Sequence, residues 1–206
     1  MDPLFSRRAV SRIPGVFAAS RLAREDRAPA VRWSRADLAG RLVELSAQGD
    51  SSGLTLAISL VTDAQKEGET AAWVTPSRSA FFPPDAARAG VDLGALPVVR
   101  VPDASAVART AERLVRSGAF GLVVLDLSDR AAGEREVRVP PALQNRIAGL
   151  AKRHDATVLC LTEKPSRAPS LGSMVSLRAE ARRRRTGENR FQCEVRVLRD
   201  KRRAGS

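Results

Sequence analysis

The chain has 206 residues, 43% of them apolar, and its 35 Lys plus Arg against 23 Asp plus Glu give a formal charge of +12. A chain of this length buries most of its unfolded surface around one core without help from metals or disulfides. With one histidine, His154, and two distant cysteines, Cys160 and Cys193, zinc sites, haem attachment, Cys-His nucleophiles and Ser-His-Asp triads lack their parts, so no metal and no cofactor is expected.

No apolar run approaches the roughly 20 residues of a membrane span. Pro14 and Gly15 interrupt any secretory core near the N-terminus, so a cytoplasmic protein without membrane contact is expected. The charge is unevenly spread. Residues 1–35 hold 8 basic and 3 acidic groups, residues 36–177 hold 16 of each, and residues 178–206 hold 11 basic and 4 acidic. A neutral body between two cationic ends assigns contact with a polyanion or an acidic protein to the ends. Arginine outnumbers lysine 31 to 4, which reads either as bidentate phosphate or carboxylate recognition or as the base composition of a GC-rich genome.

In chain order, residues 1–35 read as a basic N-terminal arm and linker, with Arg7, Arg8 and Arg12 between apolar residues in a loose amphipathic pattern. The core spans residues 36–177. Gly40-Arg41-Leu42-Val43-Glu44-Leu45 alternates as a first strand, a glycine and serine turn follows, and Leu54, Ala57, Ile58, Val61 and Ala64 recur at helical spacing up to Gly68. Strand, turn and helix open a βαβ unit.

The alternation continues with strands at 70–75 and 97–101 and a short helix at 83–89. Ser105 is the expected cap of a helix with Val107, Ala111, Leu114 and Val115 on one face, ended by Gly118. Residues 120–126 form an apolar run of the kind buried on both faces of a parallel sheet, and are expected at its centre. A helix from Pro140 through His154 and a buried strand at 156–161 follow. His154 would meet the helix dipole, Cys160 is a core thiol, and Cys193 lies on a strand. Residues 178–206 read as a basic C-terminal antiparallel hairpin and tail of the same domain, at the sheet edge, turning at Thr186-Gly187-Glu188-Asn189. The expected fold is α/β, a mostly parallel sheet flanked by helices.

Several segments in order resemble the RecA recombinase ATPase core. They are the first strand, Asp63-Ala64-Gln65-Lys66-Glu67-Gly68, Ala89-Gly90-Val91-Asp92-Leu93, Leu114-Val115-Arg116-Ser117-Gly118-Ala119 and Leu122-Val123-Val124-Leu125-Asp126. The resemblance spans roughly residues 36–203 and implies a P-loop-type fold. A working P-loop wraps phosphates with backbone amides, neutralises them with a lysine and holds magnesium with a hydroxyl. Here the loop reads Gly49-Asp50-Ser51-Ser52-Gly53-Leu54-Thr55, with Leu54 where lysine belongs, and a gapless register places Gly53 there instead. The resemblance therefore implies a degenerate nucleotide site comprising Gly49, Ser51, Ser52, Gly53, Thr55 and Asp126. Where the family carries a water-activating glutamate, Thr75-Pro76-Ser77-Arg78 offers no carboxylate. Asp126 occupies the position of the magnesium-side aspartate or, on the simpler reading, caps a loop at a strand end. Glu163 replaces the family's γ-phosphate-sensing glutamine.

The family's two DNA-contacting loops correspond to residues 128–139 and 165–173. The first mixes Arg130, Arg135 and Arg138 with Asp129, Glu134 and Glu136, and Lys164 and Arg167 attend the second. Neither loop is an aromatic stacking platform. Arg182, Arg183, Arg184 and Arg185 read three ways: a phosphate track, a site for an acidic partner, or a solvated edge that discourages aggregation. Arg199 and Lys201, with Arg202 and Arg203 beyond, resemble the family's basic pair that reaches a neighbouring subunit.

A RecA-like chain of this length without the lysine resembles the ImuA proteins of damage-inducible mutagenesis. That resemblance implies a non-enzymatic accessory protein of SOS-induced translesion synthesis. Its implied partners are an ImuB-like polymerase homologue and RecA, with self-association through the N-terminal arm. A DNA-binding RecA paralogue, a SulA-like division inhibitor and a divergent DNA-stimulated ATPase are the alternatives.

Overall fold

The computed structural model describes residues 33–49, 52–77, 81–127, 139–188 and 190–203. The N-terminal arm with Arg7, Arg8 and Arg12 lies outside the described residues, as does Ser51.

A short helix α1 (Arg35–Leu38) is capped by Ser34, whose hydroxyl accepts from the Asp37 N–H. It leads into β1 (Arg41–Ala47), then α2 (Ser52–Lys66), β2 (Ala71–Pro76), α3 (Pro83–Arg88), a 3-10 turn at Leu93–Ala95 and β3 (Val98–Val101). After these come α4 (Ala104–Ser117), β4 (Leu122–Asp126), α5 (Pro141–His154), β5 (Thr157–Glu163), β6 (Leu177–Gly187) and β7 (Arg190–Asp200). The seven strands form one sheet in the order β3-β2-β4-β5-β1-β6-β7. Every neighbouring pair is parallel except β6 with β7. This is the expected α/β architecture with its C-terminal antiparallel hairpin.

β1, β2, β4 and β5 are buried almost throughout, as parallel strands covered on both faces must be. Leu42, Val74, Val123, Leu125, Val158 and Cys160 pack under α4 and α5, which supply Val107, Ala111, Val115, Leu143 and Ile147. Alternation turns Val43, Leu45, Trp73 and Leu159 to the other face, where α2 buries Leu56, Ala57, Leu60, Val61 and Ala64. Among the described residues, no helix is long and apolar enough to cross a membrane.

The structure corrects two local readings. The cap of α4 is Asp103, whose carboxylate accepts from the Ala106 N–H at 2.8 Å. Ser105 sits inside the first turn instead, because the helix begins one residue before it. The middle strand is β5 rather than β4, because β6 and β7 extend the sheet beyond β1. The hairpin stands at the sheet edge as expected, its first half buried at Leu177, Ala179 and Ala181, with β6 paired to β1 over four residues. The glycine stop of α4 is as expected: Gly118 adopts φ 72° and its N–H returns to the Val115 carbonyl.

Candidate functional site

In an open parallel sheet the strand C-termini and the loops that leave them form the natural ligand crevice. Here that edge carries Asp126 at the end of β4, Glu163 at the end of β5, and Gln48 and Gly49 where the chain leaves β1, on three adjacent strands. In register, Asp126 stands level with Leu161, and Ala47 with Glu163. The fold therefore assembles the positions that the P-loop resemblance singled out.

Their chemistry differs from that of a phosphate site. Gly49 has φ 73°, a left-handed turn suited to glycine. Ser52 and Gly53 open α2 and are buried, with Leu54 half-buried and Thr55 exposed. No lysine or arginine occurs from Gly49 to Gln65, so α2 starts without the cation that a magnesium nucleotide would meet. Asp126 is fully buried and accepts a hydrogen bond from the Thr75 hydroxyl at 3.2 Å. Ser77, in the stretch where a water-activating carboxylate would stand, is held by the β3 end, its N–H at 2.9 Å and its hydroxyl at 3.1 Å from the Val101 carbonyl. Glu163 is exposed. This set does not fit a nucleotide bound in the usual P-loop manner.

The most heavily engaged carboxylate of this edge is one that sequence reading passed over. Glu44, in the middle of β1, has no exposed surface, yet it takes the Lys164 ammonium at 2.6 Å and the Thr162 hydroxyl at 3.3 Å on one oxygen. Its other oxygen accepts the Ser170 hydroxyl at 2.7 Å and the Leu171 N–H at 2.9 Å. The segment 164–173, which corresponds to the family's second DNA-contacting loop, is thus stitched onto the core. Gln144 of α5 donates to the Leu171 carbonyl at 3.0 Å and Arg178 donates to the Ser166 carbonyl at 3.0 Å. At Gly172 any Cβ would collide with the Gln144 amide. A lone acid in an apolar strand was the signal that could have revealed Glu44. Burial and the Glu44 charge push the Cys160 thiol well above its ordinary range, with Lys164 opposing. The other candidate DNA loop, 128–138, lies outside the described residues.

The basic C-terminal residues fall into two groups. At the opposite edge of the sheet, Arg41 forms a buried ion pair with Asp200. Burial alone would raise the Asp200 carboxyl, but hydrogen bonds from Arg41 and the Arg202 N–H, with the charges of Arg41 and Arg203, hold it below the usual carboxylate range. Lys201 donates to the Ser173 carbonyl and Arg202 to the Ala39 carbonyl. Both are therefore tied to their own core, while Arg199 is exposed.

The second group is the distal hairpin. β6 leaves β1 after Glu180, and Ala181 to Gly187 then pair with β7 alone. At about 3.3 Å per residue this ribbon runs roughly 20 Å past β1, on the crevice side. Arg182, Arg183, Arg184 and Arg185 are all exposed on it. Alternation divides them. Arg182 pairs with Glu180 at 2.7 Å and Arg184 with Glu194 at 3.6 Å. On the other face the Arg183 guanidinium stacks 3.7 Å over the Phe191 ring.

Comparison with known proteins agrees with this architecture. Residues 37–155, more than half of the chain, match the RecA N-terminal domain family. Protein RecA of Chlorobium limicola is 41% identical over 88 residues, covering 42% of this chain and 25% of that protein. Protein RecA of Caulobacter vibrioides is 36% identical over 119 residues, 55% of this chain and 33% of that one. Protein RecA of Bifidobacterium longum is 36% identical over 87 residues, 42% and 22% respectively. The chain thus spans about a fifth to a third of the length of the curated relatives it matches. An ordered run of matching segments, on a parallel sheet with the corresponding loops at its crevice edge, makes this chain a member of the RecA N-terminal domain family.

Proposed function

We propose that this protein is a catalytically silent RecA-family accessory factor of DNA repair, of the ImuA kind, that serves SOS-induced mutagenic translesion synthesis by binding other proteins. The observation that carries this reading is the crevice edge. Leu54 stands where a phosphate-neutralising lysine would, no carboxylate replaces the water-activating glutamate, and Asp126 is buried against Thr75. Hydrolysis without these groups lacks both charge stabilisation and an activated nucleophile. The stitched segment 164–173 adds support, since a DNA-contacting loop needs freedom that Glu44 removes. The partners on this reading are an ImuB-like polymerase homologue and RecA, met through the basic ends.

The test is titration of the full chain with a fluorescent ATP analogue plus magnesium, with phosphate release followed with and without single-stranded DNA. Neither binding nor release is expected, and Asp126→Asn should alter only stability. DNA-stimulated release, abolished by Asp126→Asn, would overturn the reading in favour of a divergent motor. A second reading, direct DNA binding, draws on the exposed arginines of the hairpin. It requires affinity that falls steeply with salt, with a shallower slope once Arg182, Arg183, Arg184 and Arg185 are neutralised.

A further inference from the structure

The outer edge of β7 has no neighbouring strand among the described residues. An unpaired edge offers a row of backbone donors and acceptors to any extended segment. Directly opposed residues of an antiparallel pair share a face, so the register places Ala181, Arg183 and Arg185 with Val195, Cys193 and Phe191 on one side of the ribbon. That side carries two cations and no carboxylate. Its ring is unusually open, with Phe191 50% exposed and Val197, further along β7, 36% exposed. Stacking under Arg183 fixes the Phe191 ring as a flat apolar platform.

On the opposite side, Glu180 and Glu194 engage Arg182, Arg184 and Arg196. The free cationic character is thus concentrated where the apolar side chains are. A nucleic acid would leave the backbone donors and acceptors of the edge unused and find one ring face already covered by Arg183, and a second copy of this edge would bring arginines against arginines. A strand that carries apolar and carboxylate side chains on the same face, at positions i and i+2, satisfies the backbone edge, the platform and the charge together.

From this juxtaposition we infer that the β7 edge is a docking site for an acidic, amphipathic segment of another protein, which adds to the sheet as an eighth strand. Its apolar side chains lie along Phe191, Val195 and Val197, and its carboxylates reach Arg183 and Arg185. The inference deepens the partner-binding reading above by naming the chemistry of the partner.

The experiment uses the full chain and a short fluorescent peptide of the repeat Val-Ser-Asp-Ser, which puts Val and Asp on one face of a strand, its N-methylated twin, a Val and Lys peptide with Lys in place of Asp, and fluorescent oligo(dT). Anisotropy should report binding of the Val and Asp peptide alone. Phe191→Asp and Arg183→Glu should each weaken it about tenfold or more. Both residues are solvent-exposed, so their melting curves should stay close to that of the parent. Hydrogen exchange should reveal new amide protection confined to β7. Equal binding of the N-methylated twin, insensitivity to both substitutions, or absence of peptide binding would overturn the proposal. Oligo(dT) binding lost in these variants, without peptide binding, would identify a nucleic-acid surface instead. Failure here leaves the silent-ATPase reading standing, and ATP hydrolysis would overturn that reading without touching this edge.

Discussion

Replacing Glu44 tests the claim that a single buried carboxylate fastens segment 164–173 to the sheet. Its side chain has no exposed surface and that of Lys164 only 12%, with the two 2.6 Å apart. Glu44→Ala leaves the Ser170 hydroxyl and the Leu171 N–H without their acceptor, and the ammonium with the Pro169 carbonyl but without its countercharge. Breaking one side of a buried, hydrogen-bonded pair costs about 3–5 kcal/mol. At 2–4 °C per kcal/mol for a chain of this size, the melting temperature should fall by roughly 6–20 °C. Glu44→Gln keeps the shape and some acceptor capacity, and should cost less, about 1.5–3 kcal/mol. Lys164→Met combined with Glu44→Gln forms a double-mutant cycle, whose coupling should lie near 0.5–3 kcal/mol. Circular dichroism melts and urea titrations measure these values, and hydrogen exchange at Leu171 reports the segment itself. A Glu44→Ala shift below about 2 °C, or costs that simply add, would refute the argument, as would unchanged protection of Leu171.

The Arg41 and Asp200 pair links the start of β1 to the end of β7, with side chains only 3% and 6% exposed. Because folding holds the Asp200 carboxyl below its ordinary value, its contribution is complete above the usual carboxylate range and is lost as pH falls through the folded-state value. Asp200→Asn, which keeps shape and an acceptor oxygen, should therefore lower stability at neutral pH by about 1.5–3 kcal/mol and flatten the acid limb of the stability profile; an unchanged limb would exclude this carboxyl as its source. The two thiols should separate in a DTNB titration. Cys193, part-exposed on β7, reacts in the folded state, whereas Cys160, buried and raised in pKa, reacts only on unfolding. Simultaneous reaction of both would contradict the packing under α4 and α5.

Much of the fold was legible because its signals are local. The turn glycine after α4, the apolar run of β4 and the alternation of strand with helix each depend on a few neighbouring residues. The absence of any lysine or arginine from Gly49 to Gln65 was equally plain, since a phosphate loop is a contiguous motif. Even the hairpin was readable from its turn and alternation, although its buried first half was not, because the burial of Leu177, Ala179 and Ala181 depends on the α2 face they meet.

What sequence could not supply are the pairings made across long chain separations. Glu44 meets Thr162 across 118 positions, and Arg41 meets Asp200 across 159. In the sequence each is one more charge on an alternating strand. Only the strand order, with β1 placed between β5 and β6, turns them into a buried clamp and a buried ion pair. The same holds for the arginine run. Composition determined that the C-terminal region is basic, but the cross-strand register decided which arginines are neutralised by glutamates and which stand beside Phe191. Side chains on a ribbon alternate between faces, and their neighbours are set by the opposing strand rather than by the next residue in the chain.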